Sequence, residues 1–166
     1  MFKRGLVTYL SVLLSAACGS NYIPPPDLPS SVTKISTPEQ TQEWLQEVLS
    51  YKHDEEVYGT SDFWAPCALT YANKTGDCDD YAICAAALLQ GNVEKGYIVT
   101  ISNETSGHAG FLYQLNGKWG VISNVRSEFS LPIFTSFHEA IYNSFSSKYN
   151  QYSIYDYAGV DIVNGY

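Results

Sequence analysis

Thr75-Gly76-Asp77-Cys78-Asp79-Asp80-Tyr81-Ala82, running on into Ile83-Cys84-Ala85-Ala86-Ala87-Leu88-Leu89-Gln90 and Gly91, is the stretch whose reading decides the fold of this chain. Thr75-Gly76 reads as a turn, Asp77 as a cap, and residues 78–90 as a buried helix closed by Gly91. Cys78 then stands at the helix N-terminus. The unpaired backbone N–H groups and the helix dipole there favour a thiolate, which is the competent nucleophile. The same N–H groups can donate to an oxyanion. Asp77, Asp79 and Asp80 oppose this, because neighbouring carboxylates raise the pKa of a thiol. A cationic group has to come from elsewhere, and the chain offers three histidines: His53, His108 and His138.

Downstream, His108–Leu115 and Lys118–Ser123 flank Asn116-Gly117, which is a strong hairpin signal. With a two-residue turn, 115 pairs with 118 and 110 with 123. His108, Gly110, Leu112 and Gln114 then share a face with Trp119, Val121 and Ser123. Ser123 lies diagonally across from His108, and a one-residue bulge would bring Asn124 there instead. The group that orients the histidine is therefore Ser123 or Asn124. His53, in the acidic run His53-Asp54-Glu55-Glu56, reads as a solvated residue. His138, in a helical stretch with Phe134, Phe137 and Ile141, reads as structural.

Working outward, Thr37-Pro38-Glu39 opens an expected helix over 38–51, with Trp44, Leu45, Val48 and Leu49 at helical spacing. Residues 52–61 read as a polar loop and 63–73 as a short helix with Pro66 near its start. Strands are expected at 97–102, 108–115, 118–123, 153–157 and 160–163, and a further helix at 135–146. Helices first and an antiparallel sheet after is an α+β pattern, with the N-terminal helices packed on the sheet.

The 166 residues suit one domain, placed at 37–166. Only 16% of residues are charged and 45% are hydrophobic, which argues for a packed core and against disorder. The formal net charge is −8 and no Lys/Arg cluster follows residue 4, so nucleic-acid binding is excluded as a function class.

Residues 1–17 read as a secretory signal: Lys3 and Arg4, an apolar stretch from Leu6 to Leu14, then Ser15-Ala16-Ala17. Cys18 directly after small residues resembles the lipobox of bacterial lipoproteins, except that Ser15 stands where that family usually has Leu. The resemblance implies acylation of Cys18 and anchoring in a membrane of the cell envelope, at an outer membrane or cell surface. Residues 18–36, with Pro24, Pro25, Pro26 and Pro29, read as an extended tether.

Phe63-Trp64-Ala65-Pro66, Gly76-Asp77-Cys78-Asp79-Asp80-Tyr81-Ala82, Gly107-His108 and Trp119 through Asn124 together resemble the bacterial transglutaminase-like cysteine proteinases, within the papain-type superfamily. The resemblance implies a papain/transglutaminase-like fold, Cys78 as nucleophile, His108 as base and Trp64 lining the site near the oxyanion. It also implies a peptide or protein substrate, which the chain is expected to meet as a monomer. The family expects Asp where this chain has Ser123. In some members the acids beside the cysteine help to bind calcium, and Asp77 and Asp79 occupy those positions. The plainer reading makes Asp77 a cap and Asp79 and Asp80 first-turn acids with no cofactor. Cys67 and Cys84 either form a disulfide, which an exported chain permits, or stay as two buried thiols.

Overall fold

The computed structural model describes residues 28, 32–125, 129–145, 149–156 and 161–165, the last span by its backbone alone. The expected signal segment 1–17, Cys18 and most of the tether lie outside the described residues. Within 18–36, Leu28 packs against the core, and Val32 is buried in a 3-10 turn over Val32–Lys34.

In chain order the elements are α1 Pro38–Val48, β1 Ser50–Tyr51, α2 Asp54–Val57, α3 Cys67–Asn73, β2 Thr75–Gly76 and α4 Cys78–Leu89. The second half supplies β3 Lys95–Ser102, β4 Gly107–Leu115, β5 Lys118–Ile122, α5 Phe137–Ser144, β6 Gln151–Tyr155 and β7 Asp161–Gly165. The five long strands form one antiparallel sheet in the order β5-β4-β3-β6-β7. This is an α+β fold in which the N-terminal helices cover one face of the sheet and α5 covers part of the other.

Local chemistry accounts for the helix ends. Thr37 caps α1 by accepting from the Gln40 N–H at 3.2 Å, with Pro38 at the first helical position. Asp77 caps α4 by accepting from the Asp79 N–H at 3.2 Å. Asn116 and Gly117 both take positive φ, 52° and 71°, which the tight turn between β4 and β5 requires. The resulting register runs from Leu115↔Lys118 to Phe111↔Ile122.

Three sequence expectations need correction. The first helix ends at Val48, and Ser50 and Tyr51 instead pair in parallel with Thr75 and Gly76. Residues 63–66 are extended, and helix α3 starts only at Cys67. Here the Phe63 N–H donates to Asp54 and the Ala65 N–H to Asp80 at 2.9 Å, while Pro66 biases the residue before it away from helix. The loop over 52–61 contains the one-turn α2, whose first residue, Asp54, is buried.

Helix α4 sits in the middle of the first core. Its small residues Ala82, Ala85 and Ala86 let it come close to Phe111 and Tyr113 of β4. Cys84 is bonded to Cys67, so the disulfide ties α3 to α4. The second core, under α5, is built from Val99, Leu112, Trp119, Val121, Ile141 and Phe145.

Candidate active site

Cys78 reaches the sheet at a break in its hydrogen bonding. Along β4, the N–H groups of Leu115, Tyr113 and Phe111 face β5, and by the same alternation so does that of Ala109. The β5 ladder ends at Ile122 opposite Phe111, so the Ala109 N–H has lost its strand partner. It faces Cys78 and favours the thiolate there. The thiol thus lies near the strand residue next to His108.

His108 shares its strand face with Gly110 and Leu112, on the α5 side. There its ring lies edge-on to Phe145, with centroids 5.8 Å apart. Its Nε2 is 2.8 Å from the Oγ of Ser123, which is 1% exposed. The register therefore brings Ser123, not Asn124, to the imidazole. Asn124 turns the other way and lines a cavity of about 430 Å³ with His108, Tyr81 and Tyr51. Trp64 packs edge-on against Tyr155 of β6, centroids 5.2 Å apart, and does not line that cavity. His53 is exposed, with its ring edge-on to Tyr51. His138 is exposed on α5, with its ring edge-on to Tyr152.

The electrostatics around the sulfur are those of a carboxylate cluster. Burial first, then Asp77 and Asp79, push the Cys78 thiol up to about 12. Asp54, Asp77 and Asp79 each offer a ligand atom, and these atoms lie within 4.8 Å of one another. Asp54 is 2% and Asp79 7% exposed, and each keeps a buried Oδ1 without a hydrogen-bond partner. Burial and the neighbouring Asp77 push Asp79 up to about 9. A carboxylate buried without a donor is costly, and a hard divalent cation taking oxygen ligands would satisfy several such atoms at once. The donor set therefore fits a calcium-type ion. Asp80 is fully buried, and burial pushes it up to about 7 although its Oδ1 accepts from Ala65. Gly76 is the residue that fits beside it, since a Cβ there would lie 2.7 Å from the Asp80 side chain.

Two members of this neighbourhood were not identified from sequence. Asp54 lies in an acidic run that reads as solvated, and its burial becomes visible only once β1 and β2 pair. Tyr51 reads as the end of a helix. Its phenol is raised by burial and then by Cys78, Asp77 and Asp79, and Tyr51 lines the cavity beside His108.

Among solved structures, Legionella pneumophila LapG in an EGTA-treated form superposes with a TM-score of 0.48, at 14% identity over 78% of this chain and 68% of that one. Its calcium-bound form gives 0.45, at 17% identity over 61% of this chain, which spans only 57% of LapG's length in that match. A search of curated protein sequences gave no match. The family profile described as a transglutaminase-like domain matches residues 27–144, well over half of the sequence, and the chain belongs to that family.

Proposed function

We propose that this chain is an exported, lipid-anchored cysteine peptidase or amidase. Cys78 is the nucleophile, His108 the base and Ser123 the group that orients it. The observation that carries the reading is that both groups lie at the edge of β4 where the β5 ladder has ended. The sulfur lies near the Ala109 N–H, while the preceding His108 is hydrogen-bonded to Ser123.

In the reaction, the sulfur attacks the carbonyl carbon of an amide as His108 takes the thiol proton. N–H groups at the start of α4 stabilise the oxyanion. His108 hands its proton to the departing amine as the C–N bond breaks, leaving a thioester. Water, deprotonated by His108, then releases the carboxylic acid and restores the thiol. Asp54, Asp77 and Asp79 would hold a divalent cation, whose charge offsets the carboxylates that disfavour the thiolate. Export and acylation at Cys18 rest on the sequence of residues 1–18, and the Pro-rich segment after it would hold the domain off the bilayer.

A second reading is a degenerate domain that keeps the fold and binds an envelope protein or peptide. The raised thiol and the neutral Ser123 favour it. Incubation with a mixed peptide library, followed by mass spectrometry, separates the two. The peptidase reading expects new termini with the wild-type protein plus calcium and none with Cys78→Ala. An uncleaved library, with library peptides retained on the protein, contradicts hydrolysis and selects the binding reading.

A further inference from the structure

Two contacts of different kinds meet the His108 ring. One is the hydrogen bond between Nε2 and Ser123 Oγ, 2.8 Å long and made by a neutral group where the family expects Asp. A single hydrogen bond fixes one ring atom but not the plane of the ring. The other contact is Phe145, whose ring stands edge-on to the imidazole with centroids 5.8 Å apart, a separation at which such rings attract. Phe145 is itself firmly placed. It is the C-cap residue of α5, its N–H donates to the Ile141 carbonyl at 3.2 Å, and its side chain is buried in the second core. Gly110, two residues after His108 on β4, makes room for it: a Cβ at Gly110 would stand 2.9 Å from Phe145 Cζ. Glycine inside a strand weakens it, and close approach by another group is a usual reason for one. The family profile stops at residue 144, one short of Phe145, so no role for this residue carries over from the family.

We infer that Phe145 is a positioning residue: its ring, seated beside Gly110, sets the plane of the His108 imidazole and so assists transfer of the Cys78 proton, a task that Ser123 alone performs incompletely. The inference rests on Cys78 and His108 being the reactive pair. A base contributes fully only when its nitrogen lies along the path of the proton, and a rotamer locked by packing supplies that alignment. Phe145 therefore acts through His108. Removing its ring should matter only while the imidazole is present.

The test is a double-mutant cycle read by iodoacetamide alkylation of Cys78 in the full chain, with calcium at neutral pH, followed by peptide mass spectrometry. Phe145→Leu should slow alkylation about fivefold in the wild-type background and change nothing in the His108→Ala background. Phe145→Met, which removes the ring and keeps most of its volume, should give the same pattern if Phe145→Leu fails to fold. Ile141→Ala, one turn earlier on α5, should leave the rate unchanged in both backgrounds. In proton NMR the His108 ring resonances, identified by their loss in His108→Ala, should shift in Phe145→Leu while those of His53 stay in place. A wild-type rate in the Phe145 variants, or equal slowing in both backgrounds, overturns the positioning role while leaving the reactive pair standing. Alkylation of His108→Ala as fast as the wild type removes the reactive pair and the inference with it.

Discussion

The two faces of the sheet are buried in different ways. Under α5, Val99, Leu112, Val121, Ile141 and Phe145 close over an aliphatic and aromatic core. Among the described residues no buried side-chain oxygen or nitrogen there lacks a partner. Under α4, Asp54, Asp79, Tyr113 and Asn124 each keep a buried oxygen unsatisfied, and the thiol sits among carboxylates. Yet the larger cavity, about 560 Å³, lies on the α5 side between α5 and β6. Cavity volume does not single out the proposed site. Unsatisfied polar groups do, because a stable fold tolerates them only where something else is gained.

The largest expected contrast between the faces is in turnover. Cys78→Ala should abolish peptide cleavage, and His108→Ala should lower kcat/KM by about a thousandfold or more. On the other face, Ile141→Ala should cost roughly 2–4 kcal/mol in urea unfolding and leave kcat/KM unchanged. A loss of turnover in Ile141→Ala at matched folding would erase the distinction.

The next effect is on stability, and its sign follows from the raised carboxyls. Asp79 moves from 3.8 to about 9 and Asp80 from 3.8 to about 7. Each holds a proton in the folded protein that it gives up in the unfolded chain, so the native state binds more protons across that window. Metal-free stability should therefore be greatest at the acid end and fall as pH rises from about 4 to about 9. Calcium should restore Tm most at the alkaline end, and Asp79→Asn should flatten the metal-free slope. Melting curves in chelator and in calcium check this, and a metal-free Tm that rises with pH would contradict it.

How far these sites can be read from sequence follows the range of the forces involved. Helix α4 and its cap are legible because Asp77, Gly91 and the apolar run are all local signals. The β4–β5 register follows from Asn116-Gly117, and because the pairing stays regular to Phe111↔Ile122 it sets Ser123 diagonally across from His108. The pairing of Ser50-Tyr51 with Thr75-Gly76 is not legible, since two residues show no periodicity and their partners lie far along the chain. That pairing carries Tyr51 to the cavity beside His108 and Asp54 to Asp77 and Asp79. The extended shape of residues 63–66 is hidden for the same reason, being set by hydrogen bonds to Asp54 and Asp80. Sequence left both states open for Cys67 and Cys84, and their closure into a disulfide depends on how α3 packs on α4.

Smaller effects sharpen the contrast. Reducing the Cys67–Cys84 bond, which closes a separation of 17 residues, should cost about 3 kcal/mol, read as a drop in urea midpoint between oxidised and reduced protein. Ser123→Ala removes one hydrogen bond to His108 and should slow turnover by roughly tenfold or less. Ser123→Asp, which supplies a charge to the imidazolium, should raise turnover above that of Ser123→Ala. If both variants match the wild type in steady-state assays, Ser123 has no orienting role.

The central claim is that His108 activates Cys78, and alkylation tests it most directly. The rate of iodoacetamide modification of Cys78 should be measured across pH 5–10 (roughly the span over which histidine and cysteine titrate) in calcium, for the wild type and for His108→Ala. The account predicts that the wild-type thiol reacts measurably at neutral pH and that His108→Ala shifts its profile to higher pH. Identical profiles for the two proteins would contradict it.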